Sequence, residues 1–136
     1  MADEEGEIQH KSMKEMRVGS YIMIDGIPCR IVDIETSAPG KHGSAKMRVT
    51  GLGVFDGQKK SLIKPASADA DVPTITKKKA QVVSVTDTSV QLMDSETYEV
   101  YDLPITDEFR GKLSPGQEVE VMETMGRKAL YRTWSQ

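Results

Sequence analysis

Short runs of apolar and β-branched residues, each closed by turn-forming residues, recur along most of this chain. The clearest example is Asp25-Gly26, which separates the runs Tyr21–Ile24 and Ile27–Val32. An Asp-Gly pair between two apolar runs is a strong signal for a two-residue β-hairpin turn, because both positions tolerate positive φ. We therefore predict an all-β protein built from short antiparallel strands.

The first half of the chain has the pattern of a small SH3-like barrel. We expect strands at residues 31–35, 46–54 and 61–64, with a turn at 55–58 and a stop at Pro65, which cannot donate to a sheet ladder. In a hairpin of the first two strands, alternation gives one apolar face, with Val32, Ile34, Met47 and Val49, and one charged face, with Asp33, Glu35, Lys46 and Arg48. Gly51 and Gly53 in the second strand indicate a bulge or a tight bend. Five or so short strands within about 70 residues favour a closed barrel, because closure removes exposed sheet edges.

The second half begins a new series of strand signals. Strict period-two alternation over residues 117–123 is the strongest of them. A short helical turn is expected over residues 107–110, with Thr106 as its N-cap. Five strands with a short helix between the third and the fourth match the pattern of an OB-fold barrel.

Small and polar residues at positions 66–73 mark a candidate domain boundary. We predict a disordered acidic leader over residues 1–12, an SH3-like domain over 13–70 that carries a lysine loop at 36–46, and an OB-fold domain over 71–136. The alternative for residues 66–73 is a long surface loop inside a single domain.

Composition limits the chemistry available to this chain. The single cysteine, Cys29, excludes an intramolecular disulfide, and with His10 and His42 it forms no zinc-binding spacing. The first twenty residues lack the apolar core of a signal peptide, and no later apolar run is long enough to cross a bilayer. We therefore expect a cytoplasmic protein with no metal and no membrane partner.

Charge is distributed unevenly around a net value of −3. Residues 37–64 hold six basic residues and one acidic residue, whereas residues 87–123 hold ten acidic and two basic residues. A molecule with this asymmetry can dock in one orientation on a surface that offers both phosphates and basic protein. The alternative is that both groups are solvated faces of strands.

The loop at residues 36–46 reads Thr-Ser-Ala-Pro-Gly-Lys-His-Gly-Ser-Ala-Lys and carries Lys41 near its middle. Pro39 fixes its own φ, while Gly40 and Gly43 admit the positive φ that a tight apex needs. Two arms of about five residues at roughly 3.3 Å each could carry the tip about 15 Å beyond the strands. The plain alternative is a mobile hairpin loop with a solvated lysine.

The neighbours of the Gly-Lys dipeptide exclude one of its common functions and argue against a second. A phosphate-binding P-loop needs a glycine five residues before Gly40, where this chain has Glu35, and a Ser or Thr where it has His42. A nucleophilic lysine needs burial or a neighbouring cation, and a glycine-rich tip offers little burial.

The loop sequence resembles the modification loop of the translation initiation factor 5A family, which is related to bacterial elongation factor P. In that family the loop lysine receives an aminobutyl group derived from spermidine and is then hydroxylated to hypusine. The resemblance implies that Lys41 carries this covalent modification, as hypusine or deoxyhypusine, and that no other cofactor is needed. Pro39 and Ser44 replace the Thr and His of the eukaryotic pattern and indicate an archaeal-type member. The family's order of an SH3-like and an OB domain agrees with residues 14–134.

The resemblance implies a translation factor rather than an enzyme. Such a factor binds the ribosome, stabilises peptidyl-tRNA and promotes peptide bond formation during elongation, especially at stalled or polyproline sequences. Its partners would be rRNA, peptidyl-tRNA and deoxyhypusine synthase, and we expect a monomer. The loop residues that would support modification and tRNA contact are Pro39, Gly40, His42, Gly43, Ala45 and Lys46. Contacts to the RNA backbone are expected from Arg48, Lys59, Lys60 and Lys64.

Two other classes of function are alternatives to a translation factor. The first is a stand-alone RNA-binding module that uses the basic first domain. The second, a small hydrolase or transferase, lacks a nucleophile with a positioned base. RNA stacking by the second domain is a minor hypothesis, because that domain is acidic. At least half of its aromatic residues are also expected in the core or between the domains. These aromatic residues are Tyr98, Tyr101, Phe109, Tyr131 and Trp134.

Overall fold

The computed structural model describes residues 7–38 and 45–133. Within these ranges the protein is built almost entirely of strands, with a single 3-10 turn before the second strand and another before the tenth. The strands are β1 (Ile8–Ser12), β2 (Tyr21–Ile24), β3 (Ile27–Ser37), β4 (Lys46–Gly53), β5 (Lys59–Pro65), β6 (Asp69–Pro73), β7 (Thr76–Val85), β8 (Ser89–Asp94), β9 (Val100–Pro104), β10 (Glu118–Thr124) and β11 (Arg127–Thr133).

The strands form two separate antiparallel systems. In the first half, β2-β3-β4-β5 make a four-stranded sheet and β1-β6 make a two-stranded one. In the second half, β11-β10-β7-β8-β9 make a five-stranded sheet. The predicted fold class, an all-β N-terminal SH3-like barrel followed by a C-terminal OB-fold barrel, is confirmed.

The predicted turn at Asp25-Gly26 joins β2 to β3 and has the expected geometry. The φ angles are 53° at Asp25 and 76° at Gly26. Ile24 and Ile27 face each other directly across this turn. Positive φ at both central positions is typical of the tight turn that matches the twist of a hairpin.

The hairpin of β3 and β4 carries the predicted loop, and its register contains one irregularity. Glu35 lies opposite Arg48, as the charge pattern predicted, and Met47 and Val49 are buried. The register shifts at Val32, between Ile31 and Asp33. This bulge changes which positions of β3 face inward, so the predicted simple alternation holds only beyond it.

Each half of the protein encloses its own hydrophobic core. The central side chains are fully or almost fully buried, and each such Val, Leu or Ile contributes about 1.5–3 kcal/mol relative to an exposed position. The largest of them are Met13, Ile22, Ile24, Ile31 and Val49 in the first core, and Val82, Val90, Leu92, Val119 and Val121 in the second.

Two predicted boundaries need correction. Residues 8–12, expected in a disordered leader, form β1 and pair with β6 over residues 69–73. The Ser12 side chain then begins a 3-10 turn through a capping box with Glu15. The predicted division after Ala70 falls inside β6, because the change from one sheet system to the other lies between Pro73 and Thr76.

The predicted helical turn in the second half is present as a 3-10 turn at Asp107–Phe109. Phe109 is buried in the second core, which explains the position of the turn. Thr106 occupies the predicted N-cap position, but its side chain makes no capping hydrogen bond.

Candidate functional site

The chain enters and leaves the predicted modification loop through the β3–β4 hairpin. Ser37, the last residue of β3, lies opposite Lys46, the first residue of β4. The Ala45 carbonyl accepts a hydrogen bond from the Ala66 N–H at 2.8 Å, and the Ala45 side chain packs against the first core. Both described ends of the loop are therefore fixed by the barrel.

Most of the predicted loop residues lie outside the described ranges. Of the loop set, the structure places Ala45, which is half-buried, and Lys46, whose side chain is exposed. Their positions fit a loop base in which one residue anchors the chain and the next faces solvent. The residues outside the description are Pro39, Gly40, Lys41, His42 and Gly43.

The four predicted RNA-contact residues divide between the two faces of the sheet. Arg48 and Lys59 are exposed on its outer face. Arg48 lies opposite Ile63, which is 62% exposed, so cationic and apolar surface are adjacent there. On this outer face Lys46 and Arg48 lie towards the loop, whereas Lys59, opposite Leu52, lies at the other end of the β4–β5 pair.

Lys60 and Lys64 alternate with these residues along β5 and are engaged within the first half of the protein. The Lys60 ammonium lies 3.8 Å from the Asp56 carboxylate, and its side chain is only 19% exposed. The Lys64 ammonium donates a hydrogen bond to the Asp69 carbonyl at 2.9 Å. These two lysines stabilise local turns and are less available to a partner than Arg48 or Lys59.

A second group of cations lies on β7 and β11, where sequence reasoning did not locate it. These strands flank the acidic strand β10, so residues that are distant in sequence become neighbours. Glu123 lies 3.7 Å from both Lys78 and Lys128, and Arg132 pairs with Glu120 at 2.9 Å. The carboxylates of β10 are thus largely paired, and the second domain is not uniformly acidic.

Aromatic side chains lie mainly in the second core and between the two halves, as predicted. The ring centroids of Tyr131 and of Tyr21, which belongs to the first half, are 6.5 Å apart. The Lys77 ammonium lies 4.2 Å from the centroid of the Tyr131 ring. The Arg127 guanidinium lies 4.0 Å from the Phe55 ring, which also joins the two halves. Phe109 is buried, Tyr101 packs against the second core and Tyr98 is exposed, whereas Trp134 lies outside the described ranges.

The described residues include one buried cysteine and no cluster of metal-binding side chains. Cys29 is fully buried, and this burial raises the pKa of its thiol to about 11, so the thiol is protonated at neutral pH. Across residues 7–38 and 45–133, His, Cys, Asp and Glu form no group of three that could hold a metal ion. In the same ranges no helix has the length and apolarity needed to cross a membrane.

Two family descriptions together match nearly all of the described chain. The family "Translation initiation factor 5A-like, N-terminal" matches residues 8–68. The family "Eukaryotic elongation factor 5A hypusine, DNA-binding OB fold" matches residues 74–133. The two matches correspond to the two sheet systems of the structure.

Individual relatives agree with these matches. Translation initiation factor 5A of Thermococcus onnurineus is 51% identical over 119 residues, which cover 85% of this chain and 88% of that protein. The translation initiation factor 5A of Thermoplasma acidophilum is 49% identical over 122 residues, which cover 90% of this chain and 95% of that protein. A solved structure, "Eukaryotic translation initiation factor 5A from Methanococcus jannaschii", has a TM-score of 0.76 and 43% identity, covering 93% of this chain and 95% of that one. The chain therefore belongs to the translation initiation factor 5A family, as an archaeal-type member.

Proposed function

We propose that this translation factor carries a hypusine-type modification on Lys41 and acts on the ribosome during elongation. The observation that carries this proposal is the match of residues 74–133 to a family named for hypusine, in a chain whose first half has the corresponding loop sequence. The aminobutyl group would derive from spermidine and be attached by deoxyhypusine synthase. No further cofactor is required.

The modified lysine would act by positioning peptidyl-tRNA. Its added arm carries a second cationic amine beyond the loop tip, where RNA phosphates and sugar oxygens are dense. Consecutive prolines react slowly when they are misplaced, and orientation alone can recover several kcal/mol of a reaction barrier. The ribosome supplies the chemistry, and this chain is not itself the enzyme.

The proposed RNA contacts of the first domain are graded by how free each cation is. Lys46, Arg48 and Lys59 are exposed and suit sequence-independent contacts to the RNA backbone. Lys60 and Lys64 would contribute less, because both have partners within the protein. The loop residues that would support modification and tRNA contact beside Lys41 are Pro39, Gly40, His42, Gly43 and Ala45, together with Lys46.

We further propose how the chain is organised when it functions. The SH3-like domain that presents the loop extends to Pro73, and the OB-fold domain begins with β7. The pairing of β1 with β6 supports this division, since it ties residues 8–12 to the first domain. The protein would act as a cytoplasmic monomer.

The experiment that tests the proposal replaces Lys41 by arginine in cells that depend on this factor. Arginine keeps the positive charge but cannot accept the aminobutyl group in the same chemistry, so Lys41→Arg should abolish synthesis of a polyproline reporter. Lys112→Arg is the matched control, because it makes the same substitution at an exposed lysine of the other domain, outside the proposed contacts. The control should translate the reporter normally.

Both variants should unfold at the same temperature, which separates loss of function from loss of folding. Normal polyproline synthesis by Lys41→Arg would contradict the proposal. If both variants instead bound free single-stranded RNA in a salt-dependent way and translated normally, the chain would be better described as a general RNA-binding module.

A further inference from the structure

A cavity of about 330 Å³ lies between the two domains. Residues of the first domain line one side of it and residues of the second domain line the other. Small-molecule sites occur preferentially at domain interfaces, and this volume is at the lower end of the range of such sites. The size suits a nucleobase or nucleoside.

The cavity is separate from the loop that carries the proposed modification. Arg30, which lines it, precedes Ser37 at the loop base by seven residues on the same strand. At the rise of an extended strand this separation is roughly 20 Å. A ligand in the cavity would therefore not touch the loop base.

Much of the cavity wall is apolar or aromatic. The second domain contributes Phe109, Met122 and Leu130, all of them buried, and the first contributes Leu52. The Tyr21 and Tyr131 rings, 6.5 Å apart and inclined by 38°, line it from opposite domains. Walls of this kind favour a flat ring system, which every nucleobase provides.

The polar part of the wall includes Thr106 and a charged pair that joins the two domains. Arg30 Nη2 lies 2.8 Å from Glu108 Oε2, and the side chains are 30% and 40% exposed. Asp107 also lines the cavity, but its carboxylate pairs with Arg110 at 2.9 Å and its side chain is 93% exposed. Arg30 and Glu108 are therefore the charged side chains that can form hydrogen bonds with the edge of a bound ligand.

Side by side, a guanidinium and a carboxylate offer donors next to acceptors. The guanidinium only donates hydrogen bonds, and an ionised carboxylate only accepts them. The Watson–Crick edge of guanine presents the complement, a carbonyl oxygen next to two N–H donors. Adenine lacks this arrangement, and inosine lacks the exocyclic amine.

We propose that the interdomain cavity binds a guanine base, with its ring against the aromatic and aliphatic walls and its Watson–Crick edge at Arg30 and Glu108. The base could belong to a free nucleoside or to an unpaired guanosine of RNA. Because the ligand would contact both domains, its binding fixes their relative orientation and raises the unfolding temperature.

The test is calorimetric titration of the full-length protein with guanosine, inosine and adenosine. Guanosine should bind saturably at one site and raise the unfolding temperature. Inosine should bind about tenfold or more weakly, as expected for one lost hydrogen bond to a charged group, and adenosine should not bind. A short RNA with one unpaired guanosine, compared with its adenosine counterpart, distinguishes the two sources of the base.

Glu108→Gln should weaken guanosine binding about tenfold or more while preserving side-chain shape. Its matched control is Glu99→Gln, at an exposed carboxylate that does not line the cavity. Both positions are exposed, so both variants should fold. Lys41→Arg should bind guanosine like the wild type, which separates this proposal from the proposed function.

Three results would overturn the proposal. They are the absence of saturable guanosine binding at millimolar concentration, equal binding of guanosine and adenosine, and binding that Glu108→Gln leaves unchanged.

Discussion

At the scale of single residues, Gly51 shows why the two longest strands of the first domain can pack closely. A Cβ atom at this position would lie 2.9 Å from the Cys29 Cβ and 3.2 Å from the Arg30 carbonyl oxygen. Gly51 lies opposite Ile31, directly beside the bulge at Val32 of the facing strand. The bulge that the glycine predicted is present on the facing strand, and Gly51 is also where the two strands approach each other closely.

Gly51→Ala should therefore destabilise the protein. The added methyl group meets backbone as well as a buried side chain, and overpacking of this kind costs about 1–3 kcal/mol. Urea unfolding of the variant should show a lower midpoint. Ser61→Ala, at an exposed position of the adjacent strand, is the control and should shift the free energy of unfolding by less than about 0.5 kcal/mol. A Gly51→Ala variant as stable as the wild type would show that the strands separate easily.

Asp94 closes the turn between β8 and β9. Its side chain is buried, and one carboxylate oxygen accepts hydrogen bonds from the N–H groups of Thr97 at 2.9 Å and Glu96 at 2.8 Å. These backbone hydrogen bonds lower the pKa of Asp94. Because the folded pKa lies below the unfolded one, this stabilisation is present at neutral pH and is lost as the pH falls below about 4.

Asp94→Asn should lower the unfolding midpoint at neutral pH and reduce the loss of stability in acid. The measurement is urea unfolding of wild type and variant at pH 7 and pH 3. The difference between the two proteins should narrow at the lower pH. Asp102→Asn, at an exposed carboxylate of β9, is the control and should leave the neutral midpoint nearly unchanged. A difference that widens on acidification would contradict this account of Asp94.

At the scale of elements, the pairing of β1 with β6 is the feature that sequence reasoning missed. Four of the five residues of β1 are exposed, so the segment shows no alternation that would reveal a strand. Its partner, β6, is rich in small and acidic residues and was interpreted as a linker. β1 and β6 are held together by backbone hydrogen bonds between segments that are distant in sequence. Such bonds cannot be inferred from the amino-acid composition of either segment.

Removing β1 should destabilise the first domain measurably. A protein lacking residues 1–12 loses the β1–β6 ladder, the hydrogen bond from Thr74 N–H to the Glu7 carbonyl and the capping box at Ser12. A protein lacking residues 1–6 keeps β1 and is the comparison. We expect the longer deletion to be less stable by about 1–3 kcal/mol, since each such hydrogen bond contributes about 1 kcal/mol. Equal unfolding temperatures would show that β1 adds nothing to stability.

Local turn chemistry and alternation predicted the remaining elements well. Asp25-Gly26 predicted its hairpin because the turn demands those residue types. The alternation of residues 46–49 predicted which side chains are buried. Gly51 indicated a bulge or bend in this part of the sheet, but its exact place at Val32 depends on how β3 fits the barrel and not on the sequence of β3 alone.

At the scale of the whole molecule, the relation between the domains was the least predictable feature. The ion pair of Arg30 and Glu108, the stacking of Arg127 on Phe55 and the cavity between them depend on docking of the two barrels. The cations of β7 and β11 become neighbours only through the sheet order. The net charge counted along the sequence is acidic for the second domain. The surface around β10 is less acidic than this count, because neighbouring strands supply cations that pair with its carboxylates.

We propose that the first domain presents Lys41 to the modifying enzyme and to the ribosome. The most direct measurement is the intact mass of the protein purified from its native source, followed by peptide mapping of residues 36–46. We predict that the peptide carries the added mass of an aminobutyl group on Lys41, with or without one further oxygen. An unmodified Lys41 in protein from growing cells would contradict the claim.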